Sequence, residues 1–151
     1  MGRWHELPPS AISDDHGLLA PMGTFETTYD QSKDLTTVKV IGKVSEDDFW
    51  RWVGDFYSGA VTSLVLWDLV QADLSDMVSV TSDDDIKEHV RQVNEVAAEV
   101  RKGGKTAIVV SDNIHAFRLS IRLESLADLG SSPFARKTFT RMDEAKQWLG
   151  V

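Results

Sequence analysis

Polar residues that could bind a ligand follow two predicted buried strands. Asp68 and Asp73 lie at the end of one strand, and His115, Arg118 and Arg122 follow the next strand along the chain. Ligands of open α/β sheets bind beyond the carboxyl ends of parallel strands, so these side chains are candidates for one site. The two arginines, four residues apart on a predicted helix, share a face with the histidine near the helix N-terminus. Together with the free amides of that terminus they could bind an anion.

The alternative interpretation is that the two arginines form ordinary surface ion pairs. The chain carries 16 Lys and Arg against 24 Asp and Glu, which gives a net charge of −8 and a pI near 4.9. In so acidic a protein we expect Arg118 and Arg122 to pair with Asp73, Asp76 or Glu124, and we favour this interpretation. A nucleic-acid-binding role is disfavoured, because such surfaces need clustered basic residues.

No group of residues has the spacing of a catalytic or metal site. Ser111, Asp112 and His115 fall within one strand-to-helix turn, where they cannot easily align as nucleophile, acid and base. The Asp83–Asp85 run is typical of an acidic first helical turn. The chain has no cysteine, which excludes thiol catalysis and cysteine-ligated zinc. The sequence therefore predicts no catalytic residue, no metal and no cofactor.

Length and hydropathy indicate one α/β domain. The 151 residues suffice for a single core. Residues 1–21, rich in turn signals, are predicted to be a partly ordered N-terminal arm, and residues 22–151 the domain. No apolar run is long enough to span a membrane and no signal peptide is recognisable, so we expect a cytoplasmic protein.

The hydrophobic pattern predicts a mixed, mostly parallel sheet of about five strands. Strands are predicted over 24–29, 35–44, 63–70, 106–110 and 137–140, and helices begin at Ser45, at Ser82, after a cap at Asp112, and at Asp143. The order β-β-α-β-α-β-α-β-α combines a hairpin with repeated strand–helix alternation.

Two predicted helices carry more apolar residues than a single buried face can accommodate. Trp50 and Tyr57 lie off the predicted buried stripe of the first helix, and the third helix has two nearly opposite apolar faces. These faces are Ile114, Phe117 and Ile121 on one side, and Leu119, Leu123 and Leu126 on the other. We take Trp50, Tyr57, Leu119 and Leu123 as interface candidates, because exposed apolar patches mark interaction sites. The alternative is that Trp4 and Leu7 of the arm cover one patch.

Several short motifs resemble those of a known bacterial family. They are Val110-Ser111-Asp112 leading into Phe117-Arg118-Leu119, the terminal run 143–149, and the segments 42–48 and 66–69. Over roughly residues 24–150 the chain resembles STAS-type domains, the anti-sigma-factor-antagonist-like group often classed with CRAL-TRIO lipid-binding proteins. The resemblance implies a STAS-like fold.

The resemblance also draws attention to one serine. Better-known members of the family carry a regulatory phosphoserine in an Asp-Ser-x-Gly pattern after the central strand. The corresponding stretch here is Asp73-Leu74-Ser75-Asp76, which lacks the glycine. Ser75 is therefore a weak phosphosite candidate, and a turn serine that caps local amides is the favoured interpretation.

Two functions remain. The leading prediction is a non-enzymatic protein-interaction or regulatory domain that forms a homodimer, with a further protein partner also compatible. The alternative is a carrier of a small apolar molecule or lipid. That carrier would need a cavity lined by residues such as Trp52, Phe56, Leu119 and Leu123.

Overall fold

The computed structural model describes residues 23–58, 62–97, 103–129 and 134–151. The predicted arm, residues 1–21, lies outside the described residues. The described strands are β1 (Thr24–Asp30), β2 (Leu35–Lys43), β3 (Leu64–Asp73), β4 (Lys105–Val109) and β5 (Ala135–Phe139). The described helices are α1 (Glu46–Ser58), α2 (Ser75–Val80), α3 (Asp83–Ala97), α4 (Ile114–Leu129) and α5 (Met142–Leu149).

The five strands form one sheet in the order β1-β2-β3-β4-β5. The β1–β2 pair is antiparallel, and the three remaining pairs are parallel. This confirms the predicted mixed, mostly parallel sheet. One difference lies after the central strand, where the sequence predicts a polar loop and the structure has the short helix α2. Leu74 and Met77 are completely buried there, so this segment folds back onto the core.

Helices cover the two faces of the sheet unequally. On one face, residues of α1, α3 and α4 pack against alternate strand residues such as Val38, Trp67 and Ile108. The other face meets α5, whose Ala145 and Leu149 pack against residues of β2, β3, β4 and β5. Most of the apolar core therefore lies between the three longer helices and the sheet.

Aromatic rings connect α1 to the edge hairpin. Phe25 of β1 stacks on Trp52 at 4.7 Å between ring centroids, and Trp52 stacks on Phe56 at 5.4 Å. Trp67 of β3 meets both α1 rings edge-on. This stack packs the edge strand β1 against α1 on the helical side of the sheet.

Side chains cap the helices, though not always the predicted ones. The Ser45 hydroxyl accepts a hydrogen bond from the Asp48 amide at 3.2 Å, and the Ser82 hydroxyl accepts one from the Asp85 amide at 3.1 Å, as expected of serine caps. At α4 the predicted cap, Asp112, is wrong. Asn113 caps this helix by accepting from the Ala116 amide at 3.2 Å.

Asn113 also holds the exposed end of the central strand. β3 extends beyond the last residue that pairs with β4, Asp68. The Asn113 side-chain amide donates to the carbonyl oxygens of Ala72 at 2.6 Å and of Leu69 at 2.9 Å. A single side chain therefore satisfies carbonyls that a longer β4 would have bonded.

We expect Asn113→Ala to lower the free energy of unfolding by about 2–3 kcal/mol, because it removes the helix cap and leaves strand carbonyls without a donor. Denaturant titration followed by tryptophan fluorescence measures this loss. Asn113→Asp is the matched control. It retains an acceptor for the cap but replaces the donor with a carboxylate, and it should be destabilised to at least the same extent. A variant Asn113→Asp as stable as the wild type would contradict the role of the amide donor.

Candidate functional site

Four polar side chains meet at the carboxyl end of β3. The Ser75 hydroxyl donates to Asp73 Oδ1 at 2.6 Å, and the Ser75 amide donates to the same oxygen at 3.1 Å. Lys43, at the end of β2, forms an ion pair with Asp76 at 3.4 Å. The sequence predicts Asp73, Ser75 and Asp76 at this edge but misses Lys43, which only the parallel pairing of β2 with β3 brings there.

His115 lies close enough to this edge to influence it. Hydrogen bonds from the Ser75 hydroxyl and amide are the main causes that hold the pKa of Asp73 below the ordinary value of 3.8, and the charges of Lys43 and His115 add smaller contributions. His115 Nδ1 is buried and has no hydrogen-bond partner among the described residues. The edge therefore has a firmly ionised carboxylate at its centre, which does not favour an anion.

The other three predicted site residues lie elsewhere. Asp68 alternates with Trp67 and Leu69 of the helical core, so it lies on the opposite face of the sheet, where it accepts from the Val70 amide at 3.1 Å. Arg118 is exposed on α4. The structure therefore does not bring all of these candidates together, because strand alternation and helix rotation separate them, and their role in ligand binding stays a prediction.

Arg122 is engaged at the start of α3. Its guanidinium donates to Asp83 Oδ1 at 2.8 Å and to the Thr81 carbonyl at 2.9 Å. The favoured interpretation of Arg122 as an ion-pairing residue is right, but the partner is Asp83. Glu124, one of the expected partners, instead accepts from the Thr138 amide at 3.0 Å.

The two apolar faces of α4 have different environments. Leu119 is buried in the core, and Leu123 and Leu126 pack against that core. Ile114, Phe117 and Ile121 are 51%, 39% and 41% exposed. The burial of Leu119 contradicts its predicted role at an interface, whereas that role stays a prediction for the partly buried Leu123. The opposite face, which we name the α4 patch (Ile114, Phe117 and Ile121), is the exposed one.

Trp50 is also buried rather than exposed. Its ring stacks on His89 of α3 at 4.3 Å between centroids, with the two planes 5° apart. The packing of α3 beside α1 therefore buries Trp50, which is not part of the predicted buried stripe of α1. The side chain of Tyr57 lies outside the described part of the chain.

A pocket of about 60 Å³, partly open to solvent, lies between the helical layer and the sheet. Residues of α1, α3, α4, β3 and β4 line it, Leu119 and Leu123 among them. Trp52 and Phe56, which the carrier hypothesis places in such a cavity, belong instead to the aromatic stack beside it.

The sequence matches no known family model and no curated protein. Among solved structures, an anti-sigma factor antagonist from Mycobacterium paratuberculosis superposes with a TM-score of 0.50 at 14% sequence identity, over 85% of this chain and 95% of that chain. The chain has a STAS-like fold. An uncharacterized DUF3478 protein with a SpoIIAA-like fold, from Shewanella loihica, gives a TM-score of 0.47 at 16% identity, over 84% of this chain and 93% of that chain.

The motif resemblance is thus confirmed for the fold. In this STAS-like fold Ser75 occupies the first turn of α2 after the central strand. Its hydroxyl donates to the Asp73 carboxylate, and Asp73 in turn accepts from the Ser75 amide. Modification of Ser75 stays a prediction. Within the described ranges, no three Asp, Glu or His side chains are grouped as a metal site, and no helix is long and apolar enough to cross a membrane.

We expect Ser75→Ala to raise the pKa of Asp73 toward 3.8, because the substitution removes the largest cause of its lowering. A pH titration of the Asp73 carboxyl carbon by NMR measures the change. Stability contributed by this carboxylate is present above 3.8 and is lost as the pH falls through the lower folded value. Ser75→Thr keeps the hydroxyl and should retain the wild-type pKa. An unchanged Asp73 pKa in Ser75→Ala would show that the hydroxyl bonds elsewhere.

Burial lowers the pKa of His89 below its ordinary 6.5, although the charges of Asp85, Glu46 and Glu88 oppose the effect. The unfolded chain therefore binds this proton more readily, and stability is lost as the pH falls below about 6.5. We expect His89→Phe, which keeps a ring against Trp50, to reduce this acid-induced loss. Denaturation curves of both proteins between pH 8 and pH 5 measure it. If the stability of wild type and His89→Phe fell equally with decreasing pH, the assignment of this loss to His89 would be contradicted.

Proposed function

We propose that the chain is a non-enzymatic protein-interaction domain that self-associates through the α4 patch. The main support is that Ile114, Phe117 and Ile121 are exposed on one side of a helix whose other side is already buried. Removing such contiguous apolar surface from water is favourable, and patches of this kind mark interaction sites.

The spacing within the patch favours a second copy of this chain as the occupant. The two isoleucines lie nearly symmetrically about the midpoint between Phe117 and Arg118. When two copies of α4 pack antiparallel across a twofold axis, Ile114 therefore meets Ile121 of the second copy. Phe117 then meets Arg118 of the second copy. A twofold interface requires this kind of self-complementary surface.

Charge supports the same arrangement. Two copies that each carry a net charge of −8 repel one another, so their contact must exclude acidic side chains or include cations. Arg118 is exposed beside Phe117, and a guanidinium over an aromatic ring of the second copy adds a cation–π contact. The patch thus combines apolar area with one positive charge.

The fold is consistent with a protein-binding role. The Mycobacterium paratuberculosis relative is an anti-sigma factor antagonist, a name that describes action on another protein.

We expect Phe117→Glu to weaken self-association by more than about tenfold, because it places a like charge at the centre of the symmetric contact. Sedimentation velocity over a range of protein concentrations measures the dimerisation constant. Tyr29→Glu is the matched control. Tyr29 is an aromatic residue 58% exposed on β1, away from α4, and its substitution should leave the dimer intact.

Three outcomes would overturn the proposal. A wild-type protein that stays monomeric up to several hundred micromolar would exclude the second copy. A monomer that Phe117→Glu destabilises would indicate that residues 1–21, with Trp4 and Leu7, cover the patch. An unchanged dimer in Phe117→Glu would place the interface on another surface.

A further inference from the structure

The outer side of the edge strand β1 pairs with no other strand among the described residues. β1 is the outermost strand of the sheet, and its seven residues pair with β2 in an unbroken antiparallel register. In such a ladder alternate residues direct their N–H and C=O groups away from the partner strand. Five of the seven residues, Thr24 and 26–29, are exposed. Residues 26–29 therefore present backbone donors and acceptors along a solvent-facing edge.

The opposite edge of the sheet, by contrast, is partly covered. At β5 the Glu124 carboxylate of α4 accepts a hydrogen bond from the Thr138 amide at 3.0 Å. Natural edge strands also avoid unwanted pairing through proline, lysine or a β-bulge. The sequence of β1 contains no proline, glycine or lysine, and its register with β2 has no shift. An edge with these properties suits the addition of another strand.

The side chains of β1 indicate what the added strand carries. Phe25 stacks on Trp52 on the helical side of the sheet. Strand alternation places Tyr29 on that same side and Glu26 on the other. Tyr29 is 58% exposed, so an aromatic or β-branched residue of a neighbouring strand has a ring to cover. Glu26 is in register with Lys39 of β2, and a second cation on its outer side continues this alternation of charge.

Charge favours another protein over a second copy as the source of that strand. Two copies that each carry a net charge of −8 repel one another, and β1 contributes no cation to offset the repulsion. The α4 patch differs in this respect, because Arg118 is exposed beside it. A basic segment is instead attracted to the chain.

We propose that β1 binds an extended basic segment of a partner protein as an added antiparallel strand. Antiparallel pairing is the more stable arrangement per residue, and it reverses the order of the contacts. The partner segment therefore carries an aromatic or β-branched residue that packs against Tyr29 and, three residues later, a lysine or arginine that faces Glu26. This surface goes beyond the proposed function, because it is separate from the α4 patch and binds a different molecule.

The test uses ¹⁵N NMR of the full chain, titrated with the capped peptide Lys-Tyr-Thr-Val-Lys-Val-Thr, which fits residues 24–30 in that register. Two derivatives are N-methylated, one at the tyrosine and both valines, the other at both lysines and the threonine between them. In an added strand only one of these two sets of N–H groups faces β1. Short peptides bind weakly, so the titration extends to about 1 mM.

We expect the peptide to shift the signals of β1 and to slow hydrogen exchange of its alternate amides. One N-methylated derivative should bind more than about tenfold more weakly, because it loses backbone hydrogen bonds, and the other should bind like the parent peptide. Glu26→Gln and Tyr29→Thr should each weaken binding by about two- to fivefold. Two controls should leave peptide binding unchanged. Asp84→Asn removes an exposed carboxylate of α3, and Phe117→Glu alters the α4 patch.

Four results would overturn the proposal. No binding up to the highest concentration would exclude a strand of this chemistry. Binding of both N-methylated derivatives as tightly as the parent peptide would exclude backbone pairing. A peptide that shifts signals of α4, and no longer binds Phe117→Glu, would occupy the α4 patch instead. Slow exchange of the outward amides of 26–29 without peptide would show that residues 1–21 or a second copy already pair with β1.

Discussion

The side chain of Asn113 holds together the part of the sheet on which the rest of the structure depends. β3 is the central strand and extends past the end of β4, so its last carbonyls have no partner strand on that side among the described residues. The Asn113 amide bonds to those carbonyls, and its oxygen caps α4. Ser111, with a left-handed φ of 52°, turns the chain to bring Asn113 there. One residue thereby fixes the end of β3 and the start of α4, the two elements that border the polar edge, the pocket and the α4 patch.

The sheet could be predicted from sequence because its causes are local. Buried strands such as β3 and β4 appear as apolar runs, and serine followed by acidic residues marks the starts of α1 and α3. Asn113 had the right residue type for a cap, but Asp112 beside it has the same property. The two candidates differ in that the Asn113 amide donates to carbonyls of β3. That contact depends on the tertiary structure and cannot be recognised from local sequence. The α2 helix escaped prediction for a similar reason, since the burial of Leu74 and Met77 outweighs a polar local sequence.

The candidate site was predicted in part. Residues adjacent in the chain, such as Asp73 and Ser75, do meet at the edge. Residues assigned to the same edge from other elements do not, because Asp68 faces the opposite side of the sheet and Arg122 reaches the first turn of α3. Acidic groups at this edge are matched locally by a hydroxyl or by Lys43. Such pairing leaves the carboxylates of the polar edge well satisfied.

The two apolar faces of α4 show why surface and core cannot be separated by periodicity alone. A helix with leucines on one side and isoleucine and phenylalanine on the other is nearly symmetric in hydrophobicity, so either side could face the sheet. Polar residues that flank the two faces determine which face is buried against the sheet. Asn113 fixes where the helix starts, Arg122 binds the start of α3, and Glu124 accepts from β5, so the rotation of α4 is set by three polar contacts. With that rotation the leucines enter the core and the α4 patch faces outward. Polar bonds of modest strength therefore decide which apolar surface of α4 the folded protein leaves exposed.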